Sequence, residues 1–484
     1  MTPPTSSLSV DALLALIGEL QARNLMLEQQ NAVLTARVAE LERRLGLDSS
    51  NSSKPPSSDG PGKPPHRTQS LRARGLKKPG GQPGHVGKHL KRSERIDHTV
   101  AHLPATCAHC QASLQDQPVR LVDSRQVFDL PEPAPLIVTE HRRYRCKCHG
   151  CGAVTTGSFP PAVSAPVQYG SRLAAVVSYL SVGQFLPEDR LGQVLTDLFG
   201  VSVSAGTIGH LIARAARRAQ NFAAAVCEKI RQAPVKHLDE TGFWVGSKPQ
   251  WLHVAGTPGV DGLVHYRVSP KRGDVLAQAA HIVVHDHWTS YFQMSGVTHA
   301  LCNAHHLREL TALVDIDGEA WARRMRRLLR RLCHEVHLAR ERPAGQTGAL
   351  RPGTIRAAEQ LYDRIIHQGI AWHEALPPLP RDIKRGRIRR RTGHNLLLRL
   401  KLHKEAVLLF LHNPAVPFTN NEAERDARMM KLRQKISGGF RTSQGADNFA
   451  TLRTLIGTAR KRRWNVLETL AGCPTQLIHK LAAA

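Results

Sequence analysis

Long apolar runs are missing from this chain of 484 residues, and acidic residues are few beside basic ones. The longest apolar stretches, near 173 to 182 and 405 to 411, fall well short of the roughly 20 residues a membrane-spanning helix needs. No membrane partner is therefore expected. The opening stretch, MTPPTSSLSVDALL, lacks the basic flank that precedes the apolar core of a secretory signal, which predicts a cytoplasmic protein. Only 39 acids stand against 67 lysines and arginines, a formal charge of +28. So large an excess points to a polyanion as partner. Cysteine is also scarce, at nine residues, yet five of the nine fall between 107 and 151. In a reducing compartment such clustering favours a metal over disulfides.

The residues that are present come in blocks. Leu13, Leu20, Leu27, Leu34 and Leu41 repeat every seven positions, with Ile17, Asn24, Asn31, Val38 and Leu45 on the companion seam. This heptad pattern predicts a coiled coil over 8–47, and asparagine at the a position favours a parallel homodimer in fixed register. Residues 48–98 are crowded with Ser, Pro, Gly and basic residues and read as a flexible basic linker. A small domain over 99–160 carries two C-x-x-C pairs, Cys107 with Cys110 and Cys148 with Cys151. Two such knuckles suit one structural Zn²⁺. Cys146 and His149 compete for the same ion, so the ligand set stays open. Arg142 and Arg143, beside the second knuckle, are candidate DNA contacts. Over 170–230 the pattern is helical: LPEDRLGQVLTDLFG ends at Gly200, and VSAGTIGHLIARAARRA restarts with Ser204 as N-cap. Helix, short turn and basic helix make a helix-turn-helix-like DNA-binding region.

Residues 231–457 carry the chemistry. The stretch KHLDETGFWV, residues 236 to 245, reads as a strand with Asp239 in its middle, broken at Gly242 into a second strand. WLHVAGT and GLVHYRVS read as two more strands, RGDVLAQAA as helix, HIVVHDHW as a strand ending in Asp286, and VTHALCNA as a strand before a helix near His305. Three strands, helix, strand, helix is the order of a ribonuclease-H-like core, in which the first and fourth strands adjoin. Asp239 and Asp286 would then converge. Carboxylates suit phosphodiester chemistry because two Mg²⁺ ions held by oxygen donors can activate the attacking oxygen and relieve charge on the leaving one. A third acid lies in NNEAERDARMMKL, read as a helix start. Positions two apart point to nearly opposite sides, so either Glu424 or the pair Glu422 and Asp426 faces the metals. A basic helical insertion, about 315–417, separates the second acid from the third, and a helical tail covers 458–484.

The order of leucine zipper, NSSKPPSSDG, KKPGGQPGHVG, cysteine knuckles, HLDET, CNAH and NNEAER resembles the transposases of bacterial insertion-sequence family sixty-six over nearly the whole chain. The resemblance implies a multidomain α/β protein with a ribonuclease-H-like catalytic core of the three-acid type, and it assigns the triad to Asp239, Asp286 and Glu424. Cys302 and His305 match the C-x-x-H motif that follows the second acid in related transposases, either in direct contact with DNA or as a buried thiol and a capping histidine that brace the site. Arg425 is expected to support the third acid, with Arg428, Lys431 and Arg433 on DNA. The implied activity is Mg²⁺-dependent cleavage of element ends and transfer of 3′-OH strand ends into target DNA, with Mn²⁺ as a substitute ion. Double-stranded DNA, a second copy of the chain and accessory proteins of the same element would be partners, on the nucleoid. Two other readings use the same blocks: a non-catalytic, zinc-containing DNA-binding regulator, and a metal-dependent nuclease without strand transfer. Two departures concern the site: Asp286 lies in HDHWTSYF where glycine and tyrosine are commoner, and Thr419 stands where an Asp is common.

Overall fold

The computed structural model describes residues 9–48, 51–52, 92–129, 136–259, 261–274, 281–341, 348–379 and 390–483. Most of the expected linker, the end of the expected helix RGDVLAQAA and the basic run 380–389 lie outside the described residues. Helix α1 (Val10–Leu45) is one unbroken 36-residue element, opened by Ser9, whose hydroxyl accepts the Ala12 N–H. Its heptad leucines are exposed in the single chain. In the small domain, β1 (Arg145–Lys147) pairs antiparallel with β2 (Val154–Thr156). Helices α2 (Ser171–Ser178), α3 (Glu188–Phe199) and α4 (Ala205–Gln232) follow. Two punctuation marks fall where the sequence puts them. Gly200 ends α3 at φ 62°, and the Ser204 side chain accepts the Thr207 N–H to start α4.

The central sheet holds β3 (Val235–Val245), β4 (Lys248–Gly256), β5 (Val264–Ser269), β6 (His281–His285) and β7 (Val297–Leu301), in the order β5-β4-β3-β6-β7. The first three strands form an antiparallel meander, and β6 and β7 add parallel to β3. The first and fourth strands are thus neighbours, as expected. Gly242 does not break β3. It stays in the ladder opposite Trp251, whose ring passes 3.6 Å from where a Cβ would stand. The turn comes four residues later, at Gly246 with φ 55°.

Helix α5 (Asn303–Asp315) leads into an insertion of α6 (Ala320–Arg340), α7 (Pro352–Ala375), α8 (Thr392–Leu402) and α9 (Lys404–His412). These helices bury Trp321, Met325, Tyr362, Leu397 and Phe410 in a core shared with Val235, Val284 and Leu301 of the sheet. After it come α10 (Asn421–Ser437), α11 (Ser443–Lys461), α12 (Val466–Ala471) and α13 (Pro474–Ala482). On the other face of the sheet Leu238, Leu252 and Val283 pack with Phe222 of α4, Met430 of α10, Leu452 of α11 and Leu481 of α13. One core therefore unites segments the sequence reading separated at 230 and 457, and the second boundary falls inside α11. Thr454 and Thr458 on α11 accept the Tyr266 and Val264 N–H groups, so α11 caps the outer edge of β5, a strand edge that would otherwise invite another chain. Among the described residues no helix is long and apolar enough to cross a membrane.

Candidate active site

Strand alternation fixes the first two acids. Asp239 has the parity of Val235, and Asp286 that of Val284, both of which point into the insertion-side core, so the two acids share that face. The ladder pairs His237 with Val284. The same offset carried on by two residues sets Asp239 level with Asp286. Asp286 closes a tight turn just past β6, its Oδ1 accepting the Trp288 N–H at 2.9 Å.

The third acid arrives on α10, and Asn420 determines where. Asn420 Nδ2 donates to the Leu238 carbonyl at 2.7 Å, its Oδ1 lies 2.7 Å from His237 Nδ1, and its backbone N–H points at Cys302 Sγ at 3.1 Å. Because the amide nitrogen is already used, His237 carries its proton on Nδ1. Glu424, one turn on, donates its N–H to the Asn420 carbonyl. Glu422 and Asp426 turn toward a different partner, Lys461 Nζ, at 3.5 and 3.0 Å. Glu424 instead faces the sheet acids. Burial first, then the carboxylates of Glu240, Glu424 and Asp286, push the Asp239 carboxyl well above its usual range.

Among the described residues no cation lies within ion-pair distance of Asp239 or Asp286. Glu240, next in the strand, is a fourth buried carboxylate that sequence reasoning missed, and it is neutralised: it accepts from Tyr291 and Arg272. The Arg272 guanidinium sits over Trp288 and Trp251, at 4.1 and 5.0 Å from the ring centres. Glu424 is held at Oε2 by Arg428 at 3.0 Å, while Oε1 faces His305 and Arg308 at 3.9 and 4.0 Å. Asp239 and Asp286 thus have no basic partner among the described residues, and all three acids offer hard oxygen donors, a set that suits Mg²⁺.

Several expected supports lie elsewhere. Arg425 is on the exposed face of α10, and Arg428 and Arg308 take the place beside Glu424. Cys302, not His305, is the residue that caps α5; His305 sits in its first turn. Lys431, expected on DNA, donates to the Gly242 carbonyl, and Arg433 folds over the Phe440 ring at 3.5 Å and donates to Gly438. Both brace the end of α10 against the core. Arg142 pairs with Glu140 on the surface, and Arg143 lies over Phe159.

The cysteine pairs form two matching knuckles. In each, the first cysteine's carbonyl accepts an N–H four residues on, Gln111 to Cys107 and Gly152 to Cys148. The N–H groups of Cys110 and His109 lower the Cys107 thiol, and those of Cys151 and Gly150 lower Cys148, the direction a thiolate ligand needs. The knuckles fit a structural zinc by donor type and turn shape. Among the described residues their four thiols do not gather into one cluster.

Residues 104–152 match the zinc-finger binding domain of transposase IS66, and residues 1–91 match a family of unknown function. A stretch of 100 residues is 34% identical to the uncharacterized protein y4jO of Sinorhizobium fredii, covering 19% of this chain and 31% of that protein. The chain thus spans under a third of the curated relative it matches. Residues 166–448, from just before α2 into α11 and including Asp239, Glu240, Asp286 and Glu424, match the transposase IS66 family model, and the chain belongs to that family.

Proposed function

We propose that the chain is a DNA transposase of the three-acid type, with a ribonuclease-H-like catalytic core that cleaves element ends and joins their 3′-OH strands to target DNA. The observation that carries the reading is the meeting of three acids from three elements: Asp239 on β3 level with Asp286 just past β6, and Glu424 one turn along the helix that Asn420 ties to β3. The strand order β5-β4-β3-β6-β7 supports the fold assignment. Asp239, Asp286 and Glu424 would hold two Mg²⁺ ions, which when bound supply charge neutralisation and an activated oxygen nucleophile.

The protein's own groups do the positioning. Asn420 locks α10 to β3, Arg428 orients Glu424, and Glu240 stays neutralised by Arg272 so that it does not compete. In the first step a water oxygen forms a bond to phosphorus and the 3′ oxygen leaves with a proton. In the second that 3′-OH attacks a target phosphodiester, one P–O bond forming as another breaks. No covalent protein intermediate is needed. The basic insertion and the α3–α4 pair, read as a helix-turn-helix, would hold the phosphates, and α1 would pair two copies.

The test is Asp239→Asn, assayed on labelled element ends in Mg²⁺. Strand transfer should be lost while end binding stays within about threefold, because a metal ligand is removed and no basic contact is. Normal cleavage by this variant would refute the assignment. Nicks without joining in the parent protein would favour a nuclease.

A further inference from the structure

Cys302, His305 and Glu424 offer a sulfur, a ring nitrogen and a carboxylate oxygen that all lie within 4.8 Å of one another. Among the described residues no other trio of metal-ligating side chains gathers in this way. Sγ and Nδ1 stand 3.8 and 3.9 Å from the same Glu424 Oε1. For the ring nitrogen that is too far for a hydrogen bond. Tetrahedral zinc, with bonds of roughly 2.0–2.3 Å, sets its ligand atoms about 3.3–3.6 Å apart. These two distances exceed that by only a few tenths of an ångström. His305 Nδ1 is moreover buried with no hydrogen-bond partner, a costly state for a polar atom that a metal bond would relieve.

We propose that Cys302, His305 and Glu424 bind a thiophilic divalent cation of the zinc type, distinct from the finger's, and that its presence withdraws Glu424 from the acids on the sheet. The withdrawal rests on the function proposed above; the binding does not. A thiol among the donors selects zinc over magnesium, which prefers oxygen alone. As the metal–sulfur bond forms, the Cys302 proton is released to solvent. The Asn420 N–H points at the sulfur, with those of Ala304 and His305 acting on it as well. Such N–H groups favour a thiolate. Arg428 occupies Oε2 and leaves Oε1 to the ion. Arg308, 4.0 Å from Oε1, is the cation the ion would replace.

The experiment compares the full-length protein with Cys302→Ser and Glu424→Gln, each dialysed against zinc and analysed for metal per chain. The parent should hold one equivalent more than either variant, and cobalt substitution should show a sulfur-to-cobalt band that Cys302→Ser loses in part. Glu424→Gln leaves the buried thiol in place, so a folding defect in the serine variant does not blur the result. Equal metal content in all three overturns the site. Added zinc should lower strand transfer in Mg²⁺ by about tenfold in the parent and less than about twofold, relative to its own zinc-free rate, in Cys302→Ser. Zinc bound at full stoichiometry without inhibition overturns the shared use of Glu424. If neither protein transfers strands at all, the function proposed above fails, and metal content still decides the site.

Discussion

Asp239 is at odds with its surroundings: a half-buried carboxylate, near three others, with no cation among the described residues to balance it. Its raised pKa means that, between the unfolded value and the folded one, the native state holds a proton the unfolded state has released. Stability therefore falls as pH rises through that window. At neutral pH without divalent ions, Asp239→Asn should unfold at a higher temperature than the parent, by about 2–4 °C for each kcal/mol of repulsion relieved. Mg²⁺ should then stabilise the parent more than the variant, since only the parent keeps the full ligand set. Thermal scans with and without Mg²⁺ check both; a variant less stable in metal-free buffer would contradict the account. Asn420 makes the opposite case. Asn420→Ala leaves the His237 N–H and the Leu238 carbonyl unpaired in the interior, at a cost of about 2–4 kcal/mol. Urea unfolding should report that loss, and strand transfer should fall even where the variant is fully folded, because α10 loses its tie to β3.

At the scale of elements, β6 and the turn after it carry imidazoles packed as neutral rings. His285 stacks on Tyr291 at 4.7 Å and meets His299 across β7, with its Nε2 3.0 Å from the His299 Nδ1. His287 packs edge-on against His403 at the start of α9. Burial above all holds His285 near 3 and His287 near 4. Both folded values lie below the unfolded one, so below about pH 6.5 the unfolded chain takes up protons that the native state refuses. Stability is then lost as pH falls, by up to about 1.4 kcal/mol per pH unit for His285 alone. Asp239 works in the other direction and offsets part of this. Urea midpoints should drop between about pH 6.5 and pH 5; a flat profile would mean these rings are hydrated. Elements were the legible scale in the sequence. Gly200 and Ser204 mark a helix end and start by local chemistry, and the alternation around Asp239 marks a strand. Gly242 misled because its role is set by Trp251 across the ladder, a partner no local pattern names. Lys431 and Arg433 read as a basic face for the same reason, since nothing beside them in sequence shows that Gly242 and Phe440 lie underneath. Helix geometry alone left the third acid open between Glu424 and the pair Glu422 and Asp426, and only the family resemblance chose Glu424, because the partner that takes Glu422 and Asp426, Lys461, lies 35 or more residues downstream.

For the whole molecule, periodicity tells which face of a helix is apolar but not what covers it. That is why 170–230 and 458–484 read as separate regions although α4, α11 and α13 share one core with the sheet. Helix α1 is the converse. Its apolar seam was legible, and Leu13, Leu20, Leu27, Leu34 and Leu41 remain between 43% and 61% exposed in the folded chain, so the chain's own described core does not claim them. The base of the helix is tethered, with Arg43 paired to Asp317 before α6 at 3.2 Å, and the described residues leave the seam above it exposed. A second copy of α1 is the partner that a heptad of leucines with Asn24 and Asn31 at a positions suits best, because paired asparagines fix a parallel register that slipped or antiparallel helices cannot satisfy. Leu27→Lys puts a charge at the middle of that seam without touching either core. Light scattering should then report a dimer for the parent and a monomer for the variant at equal concentration, with thermal unfolding of the catalytic region unchanged. Binding to a single element end should persist in the variant, since the basic surface is intact, whereas joining of two ends in one complex should fall with the dimer. An unchanged mass in Leu27→Lys would assign the exposed leucines to some other partner.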